Sequence, residues 1–522
     1  MFENSVSSKT SKKEQVLISI FIVAILLLSS GSMVAFASGS HTMVVKPSGD
    51  KTGATDTKAI QAALNTCTGS DPRCTVQLLA GTYYISSQIT VYGFQGSFAG
   101  MGQGQTNIMA LGNMPSPNPE YNTPSSPWWA ALPGASNPWP ALFTFEGGTF
   151  AISGMTITDT SPTPTQGWYW PTVDGAGWNT ALISGIEITG LRAYATVDHL
   201  TVIGAAGDYY GYNMANAVHI EGSMLPSGWT NPEANTIMLT GTFSVTNSVF
   251  TNAETGAFGN YLTNANVAFC DNTFTSPIAS PAAPAEAFAV MDVSSTSVLI
   301  CGNHGTATGG FAVWAGQSIW KSGLLPSTVT IMDNNFQVNE GALAVILEDA
   351  GEANFGTSPT LNAVVSGNVF QNSYSCLLGA PTYACQDFSV IYSNSLENVA
   401  ISQNTVLGGY VPVPGGPTET NAGAPGIYVL GGPGTVSGNT ITGGYVGVWV
   451  DYANDVQVTG NTIKNSATWG IAVTDGSSYN TITRNIVYGS GTYDLYWDGL
   501  GTGNIWCGNL YHTSYPSVLS SC

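Results

Sequence analysis

The sequence predicts an all-β chain: a single-stranded parallel β-helix, a solenoid closed at its N-terminal end by a short α-helix. Three observations carry this. A six-residue phrase, apolar-x-x-Asn-x-apolar, recurs along the chain, as in VSGNTI at 436–441 and VTGNTI at 458–463. A second phrase with period-two alternation lies between the copies, as in IYVLG at 427–431 and VWVDY at 448–452. The composition joins 43% hydrophobic residues to only 8% charged ones and 62 glycines. That combination reads as a folded chain rich in strands and turns, since low charge implies disorder only when apolar content is low too.

The first phrase begins at Ile152, Val197, Val245, Phe269, Ile300, Ile331, Val365, Ile401, Val436, Val458 and Ile482, with a degraded copy at Gly501. Its shortest spacings set the unit, and the extra length elsewhere belongs to loops. The second phrase begins at Val218, Phe288, Phe311, Leu343, Phe388, Ile427, Val448, Ile471 and Leu495. Its alternation marks a strand with one buried face. A short unit of this kind cannot bury that face alone, but stacked copies can. Stacking sets equivalent residues ~4.8 Å apart. Asn272, Asn303, Asn334, Asn368, Asn404, Asn439, Asn461 and Asn485 then form an amide ladder along the axis. Gly and Asn in this phrase suit a turn with φ > 0. Cys270 and Cys301 hold one position in consecutive copies, so the register predicts a disulfide between them. Leucine-rich repeats share the period but need L-x-x-L-x-L, which is missing.

Residues 1–37 read as an export segment. Lys9, Lys12 and Lys13 precede an apolar run at 16–28, and Ala35 and Ala37 form an A-x-A cleavage pattern. Left uncleaved, this segment is the only route to a membrane. The location implied is extracellular or cell-surface. In such a chain eight cysteines imply disulfides: Cys67, Cys74, Cys376 and Cys385 as close pairs, and Cys507 and Cys522 bracketing the C-terminus. No C-x-x-C is present, which argues against a zinc site. The organisation expected is a cap and first coils at 38–110, aromatic and Pro-rich insertions at 111–180, repeats at 181–504 and a C-terminal cap at 505–522.

The net charge is −20. Beyond Arg73 the only basic residues are Arg192, Lys321, Lys464 and Arg484. That excludes a nucleic-acid footprint and disfavours polyanionic substrates unless a cation intervenes.

The N-terminal region holds a helix in SGDKTGATDTKAIQAALNTC (48–67), with Asp56 as N-cap and Ala59, Ile60, Ala63 and Leu64 as its apolar face. CTVQLLAGTYYIS (74–86) then reads strand, Gly turn, strand, and GSFAGMGQGQT (96–106) follows. This order resembles the opening of the pectate-lyase-like superfamily of right-handed parallel β-helix proteins, except that Leu79 and Ala80 replace the usual Pro-x stretch. The resemblance is strong over 38–110 and rests on repeat architecture beyond. It implies a glycan partner, a polysaccharide or a cell-surface glycan, because lyases, hydrolases, epimerases and tailspikes share the fold. Fold alone does not fix function. The N-T-D, D-D, G-H-G and R-I-K segments of polygalacturonase-type hydrolases are missing, and the scarcity of basic residues disfavours uronate lyase chemistry. No cofactor is required, although acids could hold Ca²⁺.

Acid-pair chemistry remains. Glycoside hydrolysis needs two carboxylates, ~5–5.5 Å apart for retention or ~6.5–9.5 Å for inversion. Acids gather around the second phrase at Glu286, Asp292, Glu340, Glu348, Asp349 and Asp387, and a pair among them is the candidate catalytic set. Ala289, Ala312, Ala344 and Ser389 read as a floor of small residues beside them. Trp314, Trp320, Tyr392, Tyr428 and Trp449 flank it, and Trp168 and Trp170 in the insertions offer a further sugar platform. His219 and Glu221, near Asp208, are an alternative acid/base pair, read as a surface histidine; Asp198 and His199 are read as a structural turn. The competing reading is a non-catalytic carbohydrate-binding or surface protein.

Overall fold

The computed structural model describes residues 41–69, 74–111, 141–159, 169–170, 178–179, 184–204, 214–224, 236–275, 286–308, 311–317, 324–339, 343–349, 361–373, 389–394, 398–409, 425–517 and 519. The expected export segment, Glu340, Asp387, Trp168, Trp320, Asp208, Cys376, Cys385 and Cys522 lie outside these residues. Among the described residues no helix is long and apolar enough to cross a membrane.

Thirty-seven strands join through parallel pairings. Over most of the chain each strand pairs with the third strand on: Thr240–Thr246 with Asn266–Cys270, then with Ser297–Cys301 and Ser327–Met332. Three strands per coil, each stacked on its counterpart, is the parallel β-helix predicted. Val, Ile, Leu and Phe fill the interior; Phe243, Phe250, Phe269, Phe274, Phe288 and Phe336 are fully buried.

The asparagine ladder holds throughout. The Nδ2 of Asn272, Asn303, Asn334, Asn368, Asn404, Asn439, Asn461 and Asn485 each donates to the Oδ1 of the next asparagine, at 2.8–3.0 Å. Asn509 receives the last bond, and Ser248 stands at the other end, donating its backbone N–H to Asn272. Each Nδ2 also reaches a carbonyl of the preceding coil, such as Val365 from Asn404 at 2.9 Å. The amides of the ladder are thereby satisfied, as burial requires. The turn's left-handed residue is the one before the asparagine: Asp271, Gly302, Asp333, Gly367, Gln403, Gly438, Gly460 and Arg484, with φ between 56° and 69°. Asn thus serves the ladder rather than the turn.

Cys270 and Cys301 are paired in register and bridged, with Cα atoms 4.6 Å apart. Cys67 and Cys74 tie the helix end to the next strand at a Cα distance of 5.5 Å. Cys507 is also disulfide-bonded.

The capping helix spans Ala54–Thr66 and buries Ile60, Ala63 and Leu64 against the end of the stack, with Ala59 partly buried. Its N-cap corrects an expectation. Gly53, at φ 79°, caps the helix, and Asp56 lies inside the first turn. Asp56 is fully buried and accepts the backbone N–H of Ser48 and of Tyr84, both at 2.9 Å. It pins helix to sheet instead of capping it.

Candidate functional site

The third strand of each coil has one side turned out of the interior. Its register runs Thr144, Glu187, His219, Phe258, Ala289, Trp314, Ile346, Tyr392, Tyr428, Trp449, Ala472, Tyr496, Tyr515. Four of the predicted aromatics, Trp314, Tyr392, Tyr428 and Trp449, therefore share one column. The small-residue floor does not survive: Ala289 pairs with Trp314, two residues past Ala312, and Val345 pairs with Ile391, one residue past Val390. The two-residue shift at Trp314 leaves period-two alternation unchanged, and the one-residue shift at Ile391 breaks it, so the pattern could fix neither register.

The C-terminal half of this face is aromatic. Tyr392 and Tyr428 lie 5.5 Å apart between ring centroids, and Tyr428 and Trp449 5.1 Å. Where Ala472 leaves a gap, Trp469 fills it, 6.3 Å from Trp449 and stacked on Tyr496 at 4.2 Å and 4°. Tyr496 stacks in turn on Tyr515 at 5.7 Å. These rings are half-buried, apart from the exposed Tyr515.

Beside the rings sit three acids the sequence reading did not select. Asp451 is buried; its Oδ2 accepts the Tyr428 hydroxyl at 2.8 Å and its Oδ1 the Thr474 hydroxyl at 2.7 Å. Trp449 Nε1 donates to that same Thr474 oxygen at 2.8 Å. The exposed Asp475 shares a hydrogen bond with Asp451, and that contact, followed by partial burial, raises its carboxyl to about 6. Asp498 accepts the backbone N–H of Asp475 at 2.7 Å. The signal was present in the second phrase, where VWVDY, IAVTD and LYWDG carry an acid at the fourth or fifth position in three successive copies.

Glu348 accepts Trp314 Nε1 at 3.0 Å, and burial raises its carboxyl. In its column Gly316 and Met291 precede it and Asn394 and Leu430 follow, so no acid neighbours it there within two coils. Asp292 and Asp349 are buried. Asp292 follows Met291, which pairs with Gly316, while Gln317 pairs with Asp349. That sets the two acids two coils, or roughly 9.6 Å, apart along the stack. The backbone of Glu286 pairs with Thr255 and Phe311. Trp170 lies in a two-residue strand paired with Trp178–Asn179.

His219 is not a surface residue. It is 1% exposed, Glu187 0% and Glu221 7%. Glu187, one coil back, sets its Oε2 2.9 Å from His219 Nδ1, and Glu221 Oε2 lies 3.8 Å from Nε2. Phe258 stacks on the imidazole at 5.1 Å and 11°. Burial drives the Glu187 carboxyl up and the His219 imidazole down. Glu187 escaped the sequence reading, although Ile186–Ile188 carries the same alternation as the second phrase. Asp198 accepts Thr246 and Asn247 side chains at 2.8 Å, in keeping with a structural turn.

A family profile described as "Right handed beta helix region" matches residues 389–515. Comparison with curated protein sequences gives no match. Similar solved structures include the mannuronan C-5 epimerase AlgE6 A-module of Azotobacter vinelandii (13% identity, 88% of this chain and 93% of that one, TM-score 0.37). A GH87 α-1,3-glucanase catalytic unit from Streptomyces thermodiastaticus is 13% identical over 93% of this chain and 71% of its own, at a TM-score of 0.42. A tailspike protein of bacteriophage CBA120 is 11% identical over 94% and 64%, at 0.43. The profile match and the three-strand coil together identify the fold as a right-handed parallel β-helix.

Proposed function

We propose that this is an exported protein that binds a neutral polysaccharide along the aromatic column and hydrolyses it with the Asp451, Asp475 and Asp498 carboxylates. The observation that carries this reading is one continuous run of rings, Tyr392 through Tyr515, lying beside Asp451, which accepts the Tyr428 and Thr474 hydroxyls. Rings stack on the apolar faces of sugars, and a coil spacing of ~4.8 Å repeats at about the length of one sugar unit. The acidic chain repels polyanions, which points to an uncharged glycan.

In this reading Asp475 is the proton donor. Two neighbouring carboxyls cannot both ionise easily, so Asp475 keeps its proton up to about pH 6. Asp451, held by Tyr428 and Thr474, is the partner that retains that proton on Asp475. Asp498, one coil on, is the carboxylate available to activate water, and successive coils supply the ~5–10 Å separations that glycoside hydrolysis uses. The apolar leader and the disulfides support export.

The test is turnover on a panel of neutral glycans by wild type and by Asp475→Asn. Reducing ends released by wild type alone support the reading. Binding without turnover on any glycan replaces it with the non-catalytic carbohydrate-binding function.

A further inference from the structure

Glu187, His219 and Glu221 take no part in the proposed hydrolysis, yet all three are buried at the other end of the same face. Strand geometry builds the cluster. His219 and Glu221 lie two apart on one strand and so share a side, and Glu187 pairs with His219 from the adjacent coil. One donor atom from each residue lies within 4.8 Å of the others. The donors therefore rest on two sheet-bound strands and not on loops. The stacked Phe258 ring fixes the plane of the imidazole.

Glu187 gives an independent sign of a ligand site. It is fully buried, and among the described residues its Oε1 has no hydrogen-bond partner and neither oxygen meets a Lys or Arg. A buried carboxylate without a cation is costly unless it takes up a proton or a metal ion. Two carboxylates and one imidazole that offer donor atoms within 4.8 Å of one another are a metal-ligand set of three protein residues. The imidazole nitrogen selects against Ca²⁺ and Mg²⁺, which take oxygen ligands, and suits a first-row transition ion.

We propose that Glu187, His219 and Glu221 bind one divalent first-row transition-metal ion, with Zn²⁺ and Mn²⁺ as the probes. The full, untagged chain is stripped with EDTA, dialysed against ZnCl₂, MnCl₂ or CaCl₂, and assayed for bound metal and melting temperature. The expected result is one equivalent of Zn²⁺ or Mn²⁺ with a raised melting temperature. Both are lost in His219→Gln and Glu187→Gln, with affinity down at least tenfold, and both are kept in Glu348→Gln. Absence of stoichiometric Zn²⁺ and Mn²⁺, unchanged binding in His219→Gln, or stabilisation by CaCl₂ alone overturns the proposal. Should the variants misfold, X-ray absorption on the metal-loaded wild type decides. A mixed nitrogen and oxygen shell supports the site, and an all-oxygen shell overturns it.

Discussion

The asparagine ladder and the outward column run through the same coils at the same spacing, and they differ in nearly every other respect. The ladder is one residue type from Asn272 to Asn509, sealed inside, with each amide spent on the next. The column changes from Thr144 and Glu187 through Phe258 and Trp314 to Tyr428 and Trp449. A buried polar group has one way to be satisfied here, so the interior repeats. An outward side chain is bound only by its strand direction, so the outside is free to vary. Stability should therefore reside in the repeated positions and chemistry in the varied ones.

The largest expected effect lies in the ladder. Asn404→Leu removes the acceptor used by the Asn368 backbone and side chain and the donors to Val365 and Asn439. With unsatisfied buried groups costing about 1–3 kcal/mol each, the loss is about 3 kcal/mol or more. Urea unfolding checks this, and Trp449→Ala should by comparison lose little. Next comes Asp475→Asn, which should lower turnover about 100-fold or more while the variant still unfolds cooperatively in urea. A smaller effect is on binding: Tyr496→Ala removes the ring stacked on Trp469 and should weaken glycan affinity severalfold, measured by affinity electrophoresis.

The smallest effect is on the pH dependence of stability. Asp475 holds its proton more tightly folded than unfolded, because its folded carboxyl sits at about 6. It therefore contributes stability that is complete below the ordinary carboxyl value of about 4 and lost as the pH rises through 6. Asp475→Asn should flatten that decline in unfolding measured from pH 4 to 7. A decline of unchanged slope would break the link to this carboxyl.

The same contrast explains what the sequence could reveal. Cys270 and Cys301 were legible because the ladder phrase fixes register through a residue that cannot slip. The outward column was legible only in kind. Trp314, Tyr392, Tyr428 and Trp449 could be picked as surface aromatics, but their alignment depends on strand shifts that alternation does not record, as Ala312 and Val313 show. Asp451, Asp475 and Asp498 were visible as a recurring acid at the fourth or fifth position of three phrases and lacked only the register that joins them. The burial of His219 was not legible, because a strand's own pattern says which way a side chain points and not what lies over it.

The central claim is that the aromatic column holds the glycan. It is tested most directly by titrating wild type and Trp449→Ala with neutral oligosaccharides in a calorimeter. The account predicts binding by wild type and at least tenfold weaker binding by the variant with its unfolding midpoint unchanged. Equal affinity in the two proteins would contradict it.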